Sequence, residues 1–186
     1  MAELKLFMVL IGCTPEGRHT EQHDVFFGIG DQLRDLIPDM LAFWPEAKGK
    51  LHIDGWREVN VVDGHQIRVV EKSSRVNPDM QLFFLNLGGY KPNEMEEFHY
   101  KILSVQKDIG AAIRASKETT FFKHTGFGTL ATSHVDDKYG VDVDDVHTVK
   151  DIFPAHLKEK YTLEITPAAT AAADELHLGY FQLSKI

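Results

Sequence analysis

The signature Glu-x-His occurs twice, as Glu21-Gln22-His23 and as Glu97-Phe98-His99, each time at the same distance behind an apolar run that ends in glycine. Those runs are Lys5 to Gly12 (KLFMVLIG) and Gln81 to Gly88 (QLFFLNLG). Leu6, Phe7, Gly12, Glu21 and His23 recur without a gap as Leu82, Phe83, Gly88, Glu97 and His99. Self-similarity at a fixed spacing restricts a chain to folds built from copies of one supersecondary unit, each too small to bury its apolar face alone. A second signature follows each copy, His52-Ile53-Asp54 and then His134-Val135-Asp136. Aligning 52–67 with 134–149 also matches Val59, Val61, Asp63 and His65 with Val141, Val143, Asp145 and His147, after a short insertion between Thr125 and Ser133.

The local pattern of one copy reads strand, strand, helix, strand, strand. Lys5 to Ile11 is short and continuously apolar, as a buried strand is. Gly12 to Thr20 carries the Gly, Pro and polar residues of a loop, and the β-branched and aromatic run Gln22 to Ile29 reads as a second strand. Asp31 is a good helix N-cap, and Leu33, Leu36, Ile37, Met40, Leu41 and Trp44 follow at helical spacing, with Pro38 kinking or restarting the helix. The second copy has Asp108 followed by Ile109, Ala112, Ile113 and Ser116. Lys50 to Val62 and His65 to Glu71 are extended, joined at Asp63-Gly64, a strong hairpin signal.

The expected fold class is therefore α+β: an internal duplication of a β-β-α-β-β unit, two halves packed about a pseudo-twofold, helices against mainly antiparallel sheet. The expected divisions are a first repeat over 1–72, a polar linker at Ser73 to Asp79, a second repeat over 80–153 and a C-terminal extension over 154–186. The extension reads as a short helix and a closing strand pair, Tyr161 to Ile165 with Gly179 to Leu183, around the spacer Pro167 to Ala173.

Composition narrows the function classes. A net charge of −8 argues against nucleic acid, whose phosphates need a concentrated Lys/Arg surface. No apolar run approaches the roughly 20 residues that span a bilayer, and the first residues lack a leader's basic region and small-residue cleavage site. One cysteine excludes an internal disulfide framework and suits a reducing compartment, so a cytoplasmic protein is expected.

The run Gly12 to Gly30 (GCTPEGRHTEQHDVFFGIG), with Phe43-Trp44-Pro45 and His52 to Glu58 (HIDGWRE), resembles a bacterial domain-of-unknown-function family, the one labelled 1543. The resemblance covers residues 5 to about 165. It implies an α+β fold of two similar halves and no assigned activity, and it transfers no catalytic residue.

Site candidates consequently rest on local chemistry. Residues two apart on a strand share a face, so Glu21 with His23, and His52 with Asp54, can present imidazole and carboxylate together. That donor set suits a divalent metal such as zinc, with Glu97, His99, His134 and Asp136 as the duplicate set. The stronger reading is a buried His–acid hydrogen bond that fixes the sheet, and duplication favours it, since a fold-stabilising pair survives in both halves. Cys13, Arg18 and Arg57 differ from their counterparts in the second copy and are the ligand-binding candidates: a thiol beside imidazoles can act as a nucleophile, and a guanidinium fork can grip a carboxylate or phosphate. The acidic run Asp142 to Asp145 lacks the Gly and terminal Glu of a calcium loop and reads as a solvated edge. The Gly28/Gly30 pair is no phosphate fingerprint, because the third glycine is missing. These residues favour a non-catalytic binding or interaction module of unknown ligand, with homodimerisation as a candidate association. The alternative is a metal-assisted hydrolase using the His/carboxylate pairs at the repeat interface. Neither the ligand nor a reaction follows from the sequence.

Overall fold

The apolar run at the start of the chain becomes β1 (Lys5–Cys13), and its alternation decides what each face does. Phe7, Val9, Ile11 and Cys13 are 0–1% exposed on one face, while Gly12 lies on the other. The structure, a computed structural model, describes residues 4–76, 79–90, 93–118, 141–168 and 172–186. β2 (Gln22–Gly30) runs antiparallel to β1 with Gly12 opposite His23. The helical region then starts as a 3-10 turn at Leu33–Leu36, becomes α1 (Ile37–Phe43) and ends in a second 3-10 turn at Pro45–Ala47. Pro38 sits in the first turn of α1, where its missing N–H is harmless, so the proline restarts the helix as expected. The expected cap is displaced: Asp35 reaches back, its Oδ2 accepting from Gln32 N at 2.9 Å and Asp31 N at 3.2 Å. Leu36 and Met40 point onto the sheet beside Phe7, Val9, Phe26 and Ile53. A Cβ on Gly28 or Gly30 would come within 2.8 Å of Leu36, so these glycines serve helix–sheet contact.

β3 (His52–Glu58) lies on the other side of β1. β4 (Val61–Val62) and β5 (His65–Glu71) form a hairpin whose turn residues Asp63 and Gly64 have φ of 49° and 70°, as a two-residue left-handed turn requires. β6 (Gln81–Tyr90), β7 (Glu97–Gln106), α2 (Ile109–Ser116) and β8 (Val141–Thr148) follow. Asp108 caps α2, its Oδ1 accepting from Ala111 N at 2.8 Å. After α3 (Ala155–Lys160) come β9 (Tyr161–Pro167) and β10 (His177–Gln182).

All described pairings are antiparallel, in sheets ordered β10-β3-β1-β2, β4-β5-β9 and β7-β6-β8. The fold is α+β, as expected. The expected closing pair does not form: β9 joins β5 and β10 joins β3, each completing a separate sheet. Their sequences read as strands, but partner choice depends on long-range register. Asp174 helps hold this return, its carboxylate accepting from the backbone N–H groups of Asn60 and Val61 at 3.1–3.4 Å. No described helix is long and apolar enough to cross a membrane.

The chain divides into two units, Met1–Val76 with Ile152–Ile186, and Asn77–Asp151. Inside the second unit, Phe83, Leu85, Leu87 and Ala112 form the core, so α2 covers the face of β6 that corresponds to the α1-covered face of β1. Both sheets carry a bulge in the same place. Leu10 pairs Gly55 and Ile11 pairs Ile53, leaving Asp54 extra; Asn86 pairs Asp145 and Leu87 pairs Val143, leaving Asp144 extra. Gly12 faces His52, and Gly88 faces Asp142. By position on the sheet, Asp142 and Asp144 thus stand where His52 and Asp54 stand, and buried Val149 stands where buried Val59 does. This corrects the alignment of Val59 and Val61 with Val141 and Val143; His134 and Asp136, aligned with His52 and Asp54, lie outside the described residues.

Removing the α2 cap tests this local account. Asp108→Ala should cost about 1 kcal/mol, seen as a lower urea midpoint at unchanged slope; an unchanged midpoint would contradict the capping role.

Candidate metal centre

Gly12 is the floor of a cluster on the sheet face opposite α1. It sits on the central strand of a row of three, with His23 beside it on β2 and His52 beside it on β3. All three positions point to one face because register and alternation agree. Glu21 precedes His23 by two residues and shares that face. Asp54, the bulge residue, turns its carboxylate to the same place, as bulges near sites commonly do. A Cβ at residue 12 would lie 2.6 Å from Asp54 Oδ2, 2.7 Å from His52 Nε2 and 3.0 Å from His23 Cδ2. The donors occupy space that any side chain there would need.

The four side chains form a ring in which Glu21 takes part through both carboxylate oxygens. His52 Nε2 is 2.9 Å from Glu21 Oε1 and 3.4 Å from Asp54 Oδ2. His23 Nε2 is 3.2 Å from Asp54 Oδ2 and 3.6 Å from Glu21 Oε2. Ligand bonds of about 2.05 Å in tetrahedral geometry put neighbouring donors about 3.3 Å apart, and these four separations bracket that value. Glu21, His23 and His52 can each offer an atom within 4.8 Å of the other two; Asp54 joins through its contacts with both imidazoles.

Burial grades across the cluster. The His52 side chain is 7% exposed and Asp54 25%, against 39% for His23 and 43% for Glu21. Tyr180 on β10 covers the His52 ring with centroids 4.4 Å apart. His52 Nε2 and Asp54 Oδ2 are buried and neither has a hydrogen-bond partner. Glu21 Oε1 is close enough to His52 to bond, but distance without alignment is not a hydrogen bond.

The other candidates fall elsewhere. Cys13 is in the core beneath α1, 1% exposed. Burial, and secondarily the Glu21 charge, push its thiol above the usual value, the opposite of what a nucleophilic thiolate needs. Arg18 lies in the exposed loop between β1 and β2 and takes no part in the cluster. Arg57 shares the cluster's sheet face but stands opposite Met8, four positions along β1 from Gly12, or about 13 Å; its Nη2 lies 3.8 Å from Met8 Sδ.

In the second unit Glu97 and His99 on β7 meet Asp144 on β8. His99 Nδ1 is 3.3 Å from Asp144 Oδ2, and Nε2 is 3.9 Å from Glu97 Oε2. Asp144 is the residue that sequence reasoning missed, since Asp142 to Asp145 read as a solvated edge. The available signal was the D-x-D spacing ahead of Val149, matching H-x-D ahead of Val59.

Comparison with known proteins gives a family match over part of the chain and a likeness of fold. Residues 18–69 match the model of the Domain of Unknown Function family DUF1543, the one that the sequence resembles; the match spans both the Glu21/His23 and the His52/Asp54 signatures. Protein Il1583 from Idiomarina loihiensis, known from its crystal structure, is similar to this chain with a TM-score of 0.59 and 21% identity, covering 97% of this chain and 98% of that one. At that identity the likeness is one of fold. No curated protein matches the chain.

The Cys13 geometry predicts an inert thiol. Labelling by a thiol reagent at neutral pH should be slow in the native protein and fast in denaturant; rapid native labelling would contradict the packing.

Proposed function

We propose that this protein is a divalent-metal-binding module whose principal site is formed by Glu21, His23, His52 and Asp54. The observation that carries the reading is the pair His52 Nε2 and Asp54 Oδ2, both buried and both without a hydrogen-bond partner. An unbonded polar atom at a buried site costs on the order of 1–3 kcal/mol, and a structural His–acid hydrogen bond would have removed that cost by aligning the two groups. Glu21, His23 and His52 instead bring donor atoms within 4.8 Å of one another, with Asp54 Oδ2 3.2 and 3.4 Å from the two imidazoles, which is the gathering that coordination requires. Two imidazoles and two carboxylates suit zinc or a neighbouring transition ion better than magnesium or calcium, which take oxygen shells.

Four protein donors fill a tetrahedral ion, which supports binding rather than catalysis. The hydrolytic alternative draws on one specific feature, the exposure of Glu21 and His23. It would need Glu21, at the start of β2, to give up its place to water.

Titration of metal-free protein with Zn2+ should show one tight site per chain. His52→Ala should weaken it by on the order of 100-fold while retaining the native circular dichroism spectrum. Full-affinity binding by His52→Ala, or no tight site in the parent, would overturn the proposal. Gly12→Ala should act differently, disturbing three donors at once: a loss of Zn2+ affinity at least tenfold, with a stability cost no larger than about 1–3 kcal/mol for local overpacking. Unchanged affinity would mean that the donors do not depend on the bare backbone beneath them.

A further inference from the structure

We infer that the second unit holds its own divalent-cation site, formed by Glu97, His99 and Asp144, and that it takes a harder ion than the first, of the manganese or magnesium class. The placement is the same as in the first unit. His99 faces a glycine of the central strand, Gly88, Glu97 shares its face two residues earlier, and the third donor is the extra residue of the bulge. A Cβ at residue 88 would run into the Asp144 carboxylate, so the bare backbone again makes room for a donor. Each of the three residues can offer an atom within 4.8 Å of the others.

The surroundings differ in a consistent direction. On the site face, Leu10, Val25 and Gly55 of the first unit have Asn86, Lys101 and Asp145 at the matching register positions. The position of His52 is held by Asp142. Asn86 Nδ2 lies 3.2 Å from His99 Nδ1 and 3.3 Å from Asp145 Oδ2, and Asn86 Oδ1 is buried without a hydrogen-bond partner. Glu97, His99 and Asp144 are 37%, 38% and 30% exposed, with no counterpart to the buried His52 imidazole among them. One imidazole, two carboxylates and ready access of water make an oxygen-rich shell with several waters, which manganese and magnesium accept and zinc does not require. Looser donor spacing and greater exposure make this the weaker of the two sites.

The test is titration of the full chain with Mn2+, following the free-ion electron paramagnetic resonance signal, on four proteins: the parent, Asp144→Asn and Glu97→Gln, each loaded with Zn2+, and the double variant His23→Ala/His52→Ala, which lacks both imidazoles of the first site. The Zn2+-loaded parent and the double variant should each bind one Mn2+ per chain. Asp144→Asn should lose that affinity on the order of tenfold or more while keeping its Zn2+ stoichiometry, and Glu97→Gln should behave alike, so that a folding defect in one variant does not decide the matter. Absence of Mn2+ binding in both the Zn2+-loaded parent and the double variant would overturn the inference, as would unchanged Mn2+ binding by Asp144→Asn and Glu97→Gln. Because the double variant removes the first site's imidazoles, failure here is distinguishable from failure of the Zn2+ reading.

Discussion

An imidazole nitrogen and a carboxylate oxygen lie buried side by side on β3 without a hydrogen-bond partner, and the strand register of the first unit sets Glu21 and His23 against them. Much else in that sheet serves to hold them there. β1 supplies a position without a side chain, β2 and β3 flank it in register, and the bulge at Asp54 adds a carboxylate without disturbing the pairing of Leu10 with Gly55 and Met8 with Arg57. Behind this face, Phe7, Val9, Ile11, Leu36 and Met40 form a close-packed core. Such a core resists small shifts, so β1, β2 and β3 hold Gly12, His23, His52 and Asp54 at fixed positions relative to one another. The same rigidity holds the four side chains in a fixed arrangement, which is the preorganisation that the proposed cation site requires.

The bulge has a second consequence, on the opposite face. With one extra residue at Asp54, Trp56 comes opposite Val9 and packs with the core, rather than facing the donors. In the second unit the bulge at Asp144 likewise puts Val143 and Val146 against the core and leaves Asp144 and Asp145 on one face. Two consecutive acids pointing the same way are not what a regular strand gives, and here they place a donor beside His99. The sheets thus use one backbone irregularity for two purposes, core formation and the placement of a carboxylate beside an imidazole, and the side chains around it differ between the two units.

How much of this was legible depends on the range of the signal. Strand runs, the Asp63-Gly64 turn and the restart at Pro38 are local and were readable from spacing alone, as was the shared face of Glu21 with His23. Register between strands was not. Nothing in the composition of Val141 to Thr148 announces a bulge, so the apparent match of His134 with His52 outweighed the better match of Asp144 with Asp54. Partner choice for β9 and β10 was hidden for the same reason: both strands are evident, yet their neighbours are residues about a hundred positions away in sequence. Cys13 looked reactive because sequence shows its histidine neighbours but not the core that encloses it. Asp35 replaced Asp31 at the helix start because a side chain one turn inside can reach back to the same amides.

The central claim, that the imidazoles of His23 and His52 join carboxylates around one ion, is tested most directly by X-ray absorption at the zinc edge on protein loaded with one equivalent of Zn2+. The account predicts a shell of nitrogen and oxygen only, near 2.0–2.1 Å, with the outer-shell scattering of two imidazoles. A sulfur scatterer near 2.3 Å, which would bring in Cys13, or a shell without imidazole would contradict it.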